Sequence, residues 1–487
     1  MFQYILKRIL IFIPTLLVIS LLTFGLSVSA PGDPVEQMLT TKAGDSQSSN
    51  LIAGEKAYLE KRKELGLDLP IFYFGITTAS KPDSLHRIAK RLHKKTLERH
   101  IYQYGNWDKI SAYYQNIRKF ELILADVPKD STTAEPLIKI KEAIQNLYLQ
   151  YQDASCKNAL TRIESELNVN PAFQDIKNQF SLLSAGYKDM TDHPTTHKNY
   201  IPALHWYGKN NQYHRWFFGD KPWFSSDNSK GTSKGFIRGD FGISYQDSRP
   251  VKNVVWDALR WTVRLSLISI LITYLIAIPL GVFSARRKGS IKDQTATTLL
   301  FVLYSIPSFW VATLAIVFLC GGDYLNWFPP YGVGGEGDTA WARFTDRAHH
   351  LILPLFCMTY GTFAYLSRQM RGGMINVLNQ DYIRTARAKG LSEDKVIWKH
   401  AIRNSLLPII TIFASVFPAM ISGSIALEII FSIPGMGKTA YEAVVARNYP
   451  IVYTVMMFST ILTLVGYLIS DILYAVVDPR ISYSKKA

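Results

Sequence analysis

The chain has 487 residues, 48% of them hydrophobic, and a formal net charge of +16. Its three cysteines, Cys156, Cys320 and Cys357, are too few and too scattered for a disulfide framework or a metal site. The apolar residues cluster at the extreme N-terminus and again after residue 264, which points to membrane spans, and no nucleic-acid partner is expected.

Residues 9–29, ILIFIPTLLVISLLTFGLSVS, are uncharged over a length that crosses a ~30 Å hydrocarbon layer at about 1.5 Å per residue. Lys7 and Arg8 precede the run and small residues follow it, as in a signal peptide. The run is longer than the roughly 7–15 residues of a signal core, so it is read as a retained helix. Five further spans are expected near 265–283, 295–319, 351–367, 405–430 and 451–477.

Between the first two spans lies a long excursion, 31–264, opened by PGDP and closed by RGDFGISYQDSRPV, both rich in turn formers. Its middle, roughly 76–204, reads as a compact α-helical domain with helices over 84–104, 107–124 and 132–152 and two shorter ones after them. In the third of these, Ile140, Ile144, Leu147 and Tyr151 keep helical spacing. His86, His93 and His100 recur every seven residues, two turns apart, so they do not converge on a metal; solvated side chains on a basic helix are expected. Amphipathic helices that bury one another as a stabilising cap are the simpler reading of this domain, and a docking surface for an outer partner is the competing one.

Six spans with the N-terminus inside leave inner pieces at 1–8, 284–294, 368–404 and 478–487, which together hold 17 Lys/Arg against five acids. The outer loops 320–350 and 431–450 carry two Lys/Arg each. This is the positive-inside bias, and it sets both termini in the cytoplasm. Trp256, Trp261, Trp327 and Trp341 fall at or beyond outer span ends, as an interfacial belt would.

The most charged inner piece, DYIRTARAKGLSEDKVIWKHAIRNSLLP (381–408), reads as two helices. Asp381 is placed to cap Tyr382–Lys389, Gly390 to end it in the left-handed conformation, and Ser392 to cap a second helix with Glu393 and Asp394 in its first turn. Tyr382, Thr385, Ala386 and Lys389 are expected to share a face flanked by Arg384 and Arg387, with small residues at 385, 386 and 388 admitting a partner surface.

Farther on, SIPGMGKT (432–439) differs from a phosphate-binding loop only by Ser432 in place of the first glycine. It follows an apolar span instead of a β-strand, and Pro434 removes an amide, so it is read as a turn that uses Gly435 and Gly437. Two acids fall within expected spans, Glu428 near the outer end of the fifth and Asp471 nearer the inner end of the sixth. Acids are costly there, so each is a candidate to line a translocation route or to pair within the bundle.

Residues 381–408 resemble the cytoplasmic coupling loop of permease subunits in ATP-binding-cassette importers, in the dipeptide/oligopeptide branch. The superfamily's Glu-Ala-Ala signature stands here as Arg384, Thr385 and Ala386, which looks like that branch's own version. KRILIFIPTLLVISLLTFGL with PGDP resembles the first span of the first of the branch's two membrane subunits. KELGLDLPIFYF (63–74) and GDFGISYQDSRPV (239–251) are similar to the two ends of its first outer loop, and LEIIFSIPGMGK, ARNYPIV and VDPRISY to later landmarks. The insertion at 76–204 departs from the family.

The resemblance implies an all-α membrane protein with six transmembrane helices, the type I importer permease, carrying an inserted α-helical extracytoplasmic domain. Its parts would be an N-terminal span (1–30), the extracytoplasmic region (31–264), and a five-helix permease core (265–487) with the coupling loop 368–404. It implies a permease subunit for peptides or related small solutes in the cell inner membrane. The implied partners are a second permease subunit, two ABC ATPase subunits or domains, and a solute-binding protein or lipoprotein. No cofactor is expected in this chain, ATP and Mg being held by the ATPase. Coupling would rest on Asp381, Tyr382, Arg384, Thr385, Ala386, Arg387, Ala388, Lys389, Gly390 and Leu391. Beside this reading stand a permease-like envelope protein whose outer domain serves docking or signalling, and an ion-gradient carrier, for which inverted repeats are expected and none is seen. No nucleophile, base and oxyanion grouping is discernible, so no catalytic residue is assigned.

Overall fold

A computed structural model describes residues 2–29, 33–35, 38, 51–83, 85, 88, 90–128, 133–169, 171–221, 233–321, 324–406, 408–410, 412–413 and 424–477. The chain divides into two compact units, Met1–Pro34 with Gly239–Ala487, and Val35–Arg238.

Helix α1 (Phe2–Ser29) opens the first unit, and Ile5–Ser29 is long and apolar enough to cross a membrane. The second unit follows with α2 (Leu51–Leu65), strand β1 (Phe74–Thr78), α3 (Arg91–Tyr104), α4 (Trp107–Ala125), α5 (Ala134–Leu149), α6 (Asp153–Val169), α7 (Lys177–Asp192), strand β2 (Pro202–Trp206) and α8 (Gln212–Phe217). Its core arises from apolar residues every three or four positions: Ile110, Tyr113, Ile117, Phe120 and Leu124 on α4 meet Phe180, Leu183, Tyr187 and Met190 on α7. Helices α5 and α6 close the same core.

Three sequence expectations change here. The helix expected over 84–104 begins at Arg91. His93 and His100 are not solvated: both are buried, His93 against the rings of Tyr148 and Tyr114 and His100 beside Tyr104 and Tyr113, because their seven-residue spacing puts them on the core side of α3; His86 lies outside the described residues. The unit also contains an antiparallel pair of strands, β1 and β2, which meet near the two ends of the expected helical stretch.

The first unit resumes with α9 (Val251–Arg286), α10 (Ile291–Ser305), α11 (Ser308–Ala315) and α12 (Ala340–Leu378). After the inner segment come α13 (Asp381–Ala388) and, farther on, α14 (Ile425–Ile430), α15 (Met436–Val445) and α16 (Tyr449–Val477). Val251–Arg286 and Tyr449–Leu473 are also long and apolar enough to span.

The third expected span is not one straight helix. Ile291–Ser305 and Ser308–Cys320 meet at 89°. Pro307 lacks an amide hydrogen and disfavours helical backbone in the residue before it, and Ile306 is extended (φ −91°, ψ 126°). The carbonyl freed at Ile306 accepts a 2.6 Å hydrogen bond from the Tyr360 hydroxyl on α12. The expected fourth span, 351–367, lies inside α12, bounded by His350 and Arg368, and is not among the helices that are long and apolar enough by themselves. Most of the fifth, 405–430, lies outside the described residues, as do 478–487.

Candidate functional site

The charged segment folds as α13, a link, and a second helix that runs from Glu393–Lys395 through a π turn, Val396–Ala401, to Ile402–Ser405. Gln380 is the N-cap of α13, with extended backbone (ψ 149°), and Asp381 is the first helical residue, where its charge still favours the helix N-terminus. Gly390 has φ +75°, the left-handed geometry expected of it. Ser392 holds the second N-cap position with extended backbone, and its side chain makes no cap bond.

Alternation of long polar and small apolar residues decides which way α13 turns. Ile383 and Ala386, at i and i+3, are buried; Asp381, Tyr382, Arg384, Thr385, Arg387, Ala388 and Lys389 are exposed, with Gly390 and Leu391 after them. Ala386 therefore does not share an outward face with Tyr382, Thr385 and Lys389. Together with Ile383, which sequence reasoning passed over, it enters a core with Val396, Ile397 and Ala401 of the second helix. The same core takes in Ala277, Val282 and Ala285 near the end of α9, and Leu366, Met370 and Met374 of α12. The short helix is thus fixed by its apolar side to the ends of two long helices.

Polar contacts brace this seat. Asn404 donates to the Tyr382 hydroxyl (2.7 Å), and Arg387 pairs with Glu393 across the link (2.8 Å). Arg286 at the end of α9 reaches Asp394 at 2.8 Å. Arg371 on α12 donates from Nε and Nη2 to the two oxygens of Asp293 at 2.7 and 2.6 Å, a fork-to-fork pair. The Gly289 amide adds a third bond to this carboxylate at 3.0 Å. The Arg371 guanidinium and the Gly289 amide together compensate the burial of this carboxylate. Neither Arg286 nor the Asp293–Arg371 pair was singled out from the sequence; their only signal there was a charge beside a span end.

Glu428 is buried and committed to the turn that follows α14. Its carboxylate accepts from the Lys438 amide (2.9 Å) and the Thr262 hydroxyl (3.3 Å), and that hydroxyl accepts from the Met436 amide (2.8 Å). The start of α15, where a phosphate loop would offer its amides, is occupied by an internal carboxylate. Gly435 is extended (φ −96°), so φ does not require glycine here; a Cβ would sit 2.4 Å from the Glu428 carboxyl carbon. Asp471 on α16 pairs with Arg8 on α1 at 2.9 Å, partly exposed. Among the described residues no three His, Cys, Asp or Glu side chains converge as a metal site would require.

Residues 277–483 match the family described as binding-protein-dependent transport system inner membrane component. The chain is 44% identical over 250 residues to the oligopeptide transport system permease protein AppB of Bacillus subtilis, a match spanning 51% of this chain and 77% of AppB. It is 38% identical over 252 residues to the inner membrane ABC transporter permease protein YejB of Escherichia coli O157:H7, spanning 51% of this chain and 69% of YejB. It is 35% identical over 271 residues to the dipeptide transport system permease protein DppB of Escherichia coli K12, spanning 52% and 79%.

Proposed function

This chain belongs to the binding-protein-dependent transport system inner membrane component family, and from that premise we propose that a separate ATPase drives it by seating on α13. It is a membrane permease subunit of an ABC importer, homologous to peptide permeases. On this reading it contributes half of a peptide pathway, a second permease subunit contributes the other half, and a solute-binding protein delivers substrate at the outer face. Both termini and α13 face the cytoplasm, the chain crosses the bilayer six times, and the Val35–Arg238 unit, which contains the 76–204 insertion, lies outside.

The observation that carries the coupling role is the two-sidedness of α13. Its charged side is open, while Ile383 and Ala386 weld the other side to the ends of α9 and α12. A rigid rod held in this way passes a displacement of its outer side to the long helices, because a close-packed core transmits strain better than it absorbs it. Within α13 and its link, Asp381, Tyr382, Arg384, Thr385, Arg387, Ala388, Lys389, Gly390 and Leu391 offer contact or shape to the ATPase, and Ala386 holds the seat. Glu428 and Asp471 hold turns and helices together here.

Reconstitution with the companion subunits tests this. Arg384→Glu combined with Lys389→Glu should abolish substrate-stimulated ATP hydrolysis and uptake while leaving membrane insertion intact, and a cysteine at Ala388 should cross-link to the ATPase. If that cysteine is labelled by an impermeant reagent added outside intact cells, or if the charge-reversed chain transports normally, the coupling role is wrong.

A further inference from the structure

The β1–β2 sheet exposes an apolar side that the transport reading does not use. Its register pairs Phe74 with Trp206 and Ile76 with Leu204, so these four side chains project from one face. Ile76, Leu204 and Trp206 are 75%, 68% and 72% exposed, and the Phe74 and Trp206 rings lie parallel with centroids 6.5 Å apart. The opposite face, Gly75, Thr77, Ala203 and His205, is half-buried within the unit. Tyr200 and Tyr102, 84% and 78% exposed, extend the patch, because Asn199 binds the Tyr102 carbonyl and the Ala79 amide binds the Ile201 carbonyl. A contiguous apolar patch of this kind on a polar unit marks an interaction surface.

Charge and composition select the occupant. Exposed Lys198 and Lys209 bracket β2, and Lys81 follows β1. Trp, Tyr and Phe beside aliphatic residues, with lysines at the rim, match the headgroup layer of a bilayer: rings and aliphatic chains enter the acyl boundary while ammonium groups meet phosphates. The unit is joined through both its ends to membrane-spanning helices of the same chain, so lipid is always at high effective concentration. We propose that the β1–β2 face, through Phe74, Ile76, Leu204 and Trp206, lies in the interface of the bilayer and binds phospholipid, with Lys198 and Lys209 on phosphate groups. This rests on the membrane character of the chain and not on the coupling role of α13.

The test uses the full chain in nanodiscs of phosphatidylcholine with phosphatidylglycerol. Cys156, Cys320 and Cys357 are all buried, so a nitroxide can be placed selectively on Leu204→Cys or Ile76→Cys, with Ile138→Cys, at an exposed position on α5, as the reference. The ratio of oxygen to nickel-chelate accessibility at 204 and 76 should exceed that at 138 at least about threefold. Adding Lys198→Glu and Lys209→Glu should move it back toward the reference. Equal ratios at all three sites would show an aqueous face, and exclusion of both reagents at 204 and 76 would show a protein partner on it; either result overturns the proposal. Neither bears on whether α13 couples to the ATPase.

Discussion

Replacing Arg371 by alanine should damage this protein more than replacing its partner Asp293. The Asp293 side chain is only 3% exposed and that of Arg371 is 27% exposed. Without Arg371, a buried carboxylate keeps the Gly289 amide and loses both charge-assisted bonds, which costs about 3–5 kcal/mol. Without Asp293, the guanidinium already reaches water and can recover part of its hydration, so roughly half that cost is expected. Replacing both by apolar residues of similar volume should return most of the loss, because no buried charge is then left alone. The three buried cysteines make a thiol-reactive dye a suitable reporter of unfolding. At roughly 2–4 °C per kcal/mol, Arg371→Ala should melt about 6–20 °C below wild type, Asp293→Ala by about half as much, and the double variant close to wild type. Since the pair joins the first turn of α10 to α12 just ahead of α13, the ATPase reconstituted with Arg371→Ala should also show a weakened response to substrate. Equal melting of all four proteins, or a greater loss from Asp293→Ala, would refute the reasoning.

Burial lowers His93 to about 4, with Lys90 and Arg118 adding to it, and burial likewise lowers His100 to about 4. The folded unit then binds fewer protons than the unfolded chain, whose histidines titrate near 6.5. Stability is full above that pH and falls as pH drops toward 4, by up to roughly 3 kcal/mol per histidine. Hydrogen exchange across 35–238 between pH 7 and 4.5 should show this loss, and His93→Phe with His100→Phe should flatten it. Gly435→Ala drives a methyl into the Glu428 carboxyl and should cost about 1–3 kcal/mol in a melting experiment, with Glu428→Ala relieving the clash; a neutral Gly435→Ala would mean the turn is looser than its geometry. Asp471→Asn weakens a partly exposed pair with Arg8, so stability should change by about 1 kcal/mol or less and KM for uptake should not move; a raised KM would assign Asp471 to the substrate route.

Much of this was legible because it depends on short-range chemistry. Uncharged runs long enough to span, basic short loops, and Gly390 at the end of a charged helix each follow from composition or from one residue's backbone preference, and 381–408 carried enough residues in order to name a family. Errors arose where one residue has two physical uses. His93 and His100 look like members of a basic stripe, yet they are also flat polar rings able to stack on tyrosines, and only the packing of α3 shows which use prevailed. Pro307 was visible in the expected third span, but a proline either kinks a helix or breaks it, and the hydroxyl of Tyr360, 53 positions away, accompanies the break.

The sequence by itself determined that this is a membrane chain, which loops are basic, and which segment resembles the family's coupling loop, because hydropathy, charge and local order are properties of neighbours along the chain. Tertiary structure alone decided that Ala386 faces inward with Ile383, that Arg371 is locked to Asp293, and that Glu428 fills the start of α15. Each of these depends on side chains brought together from distant positions, and the free energy of burying a methyl or a charge is set by what packs against it, which no local spacing encodes.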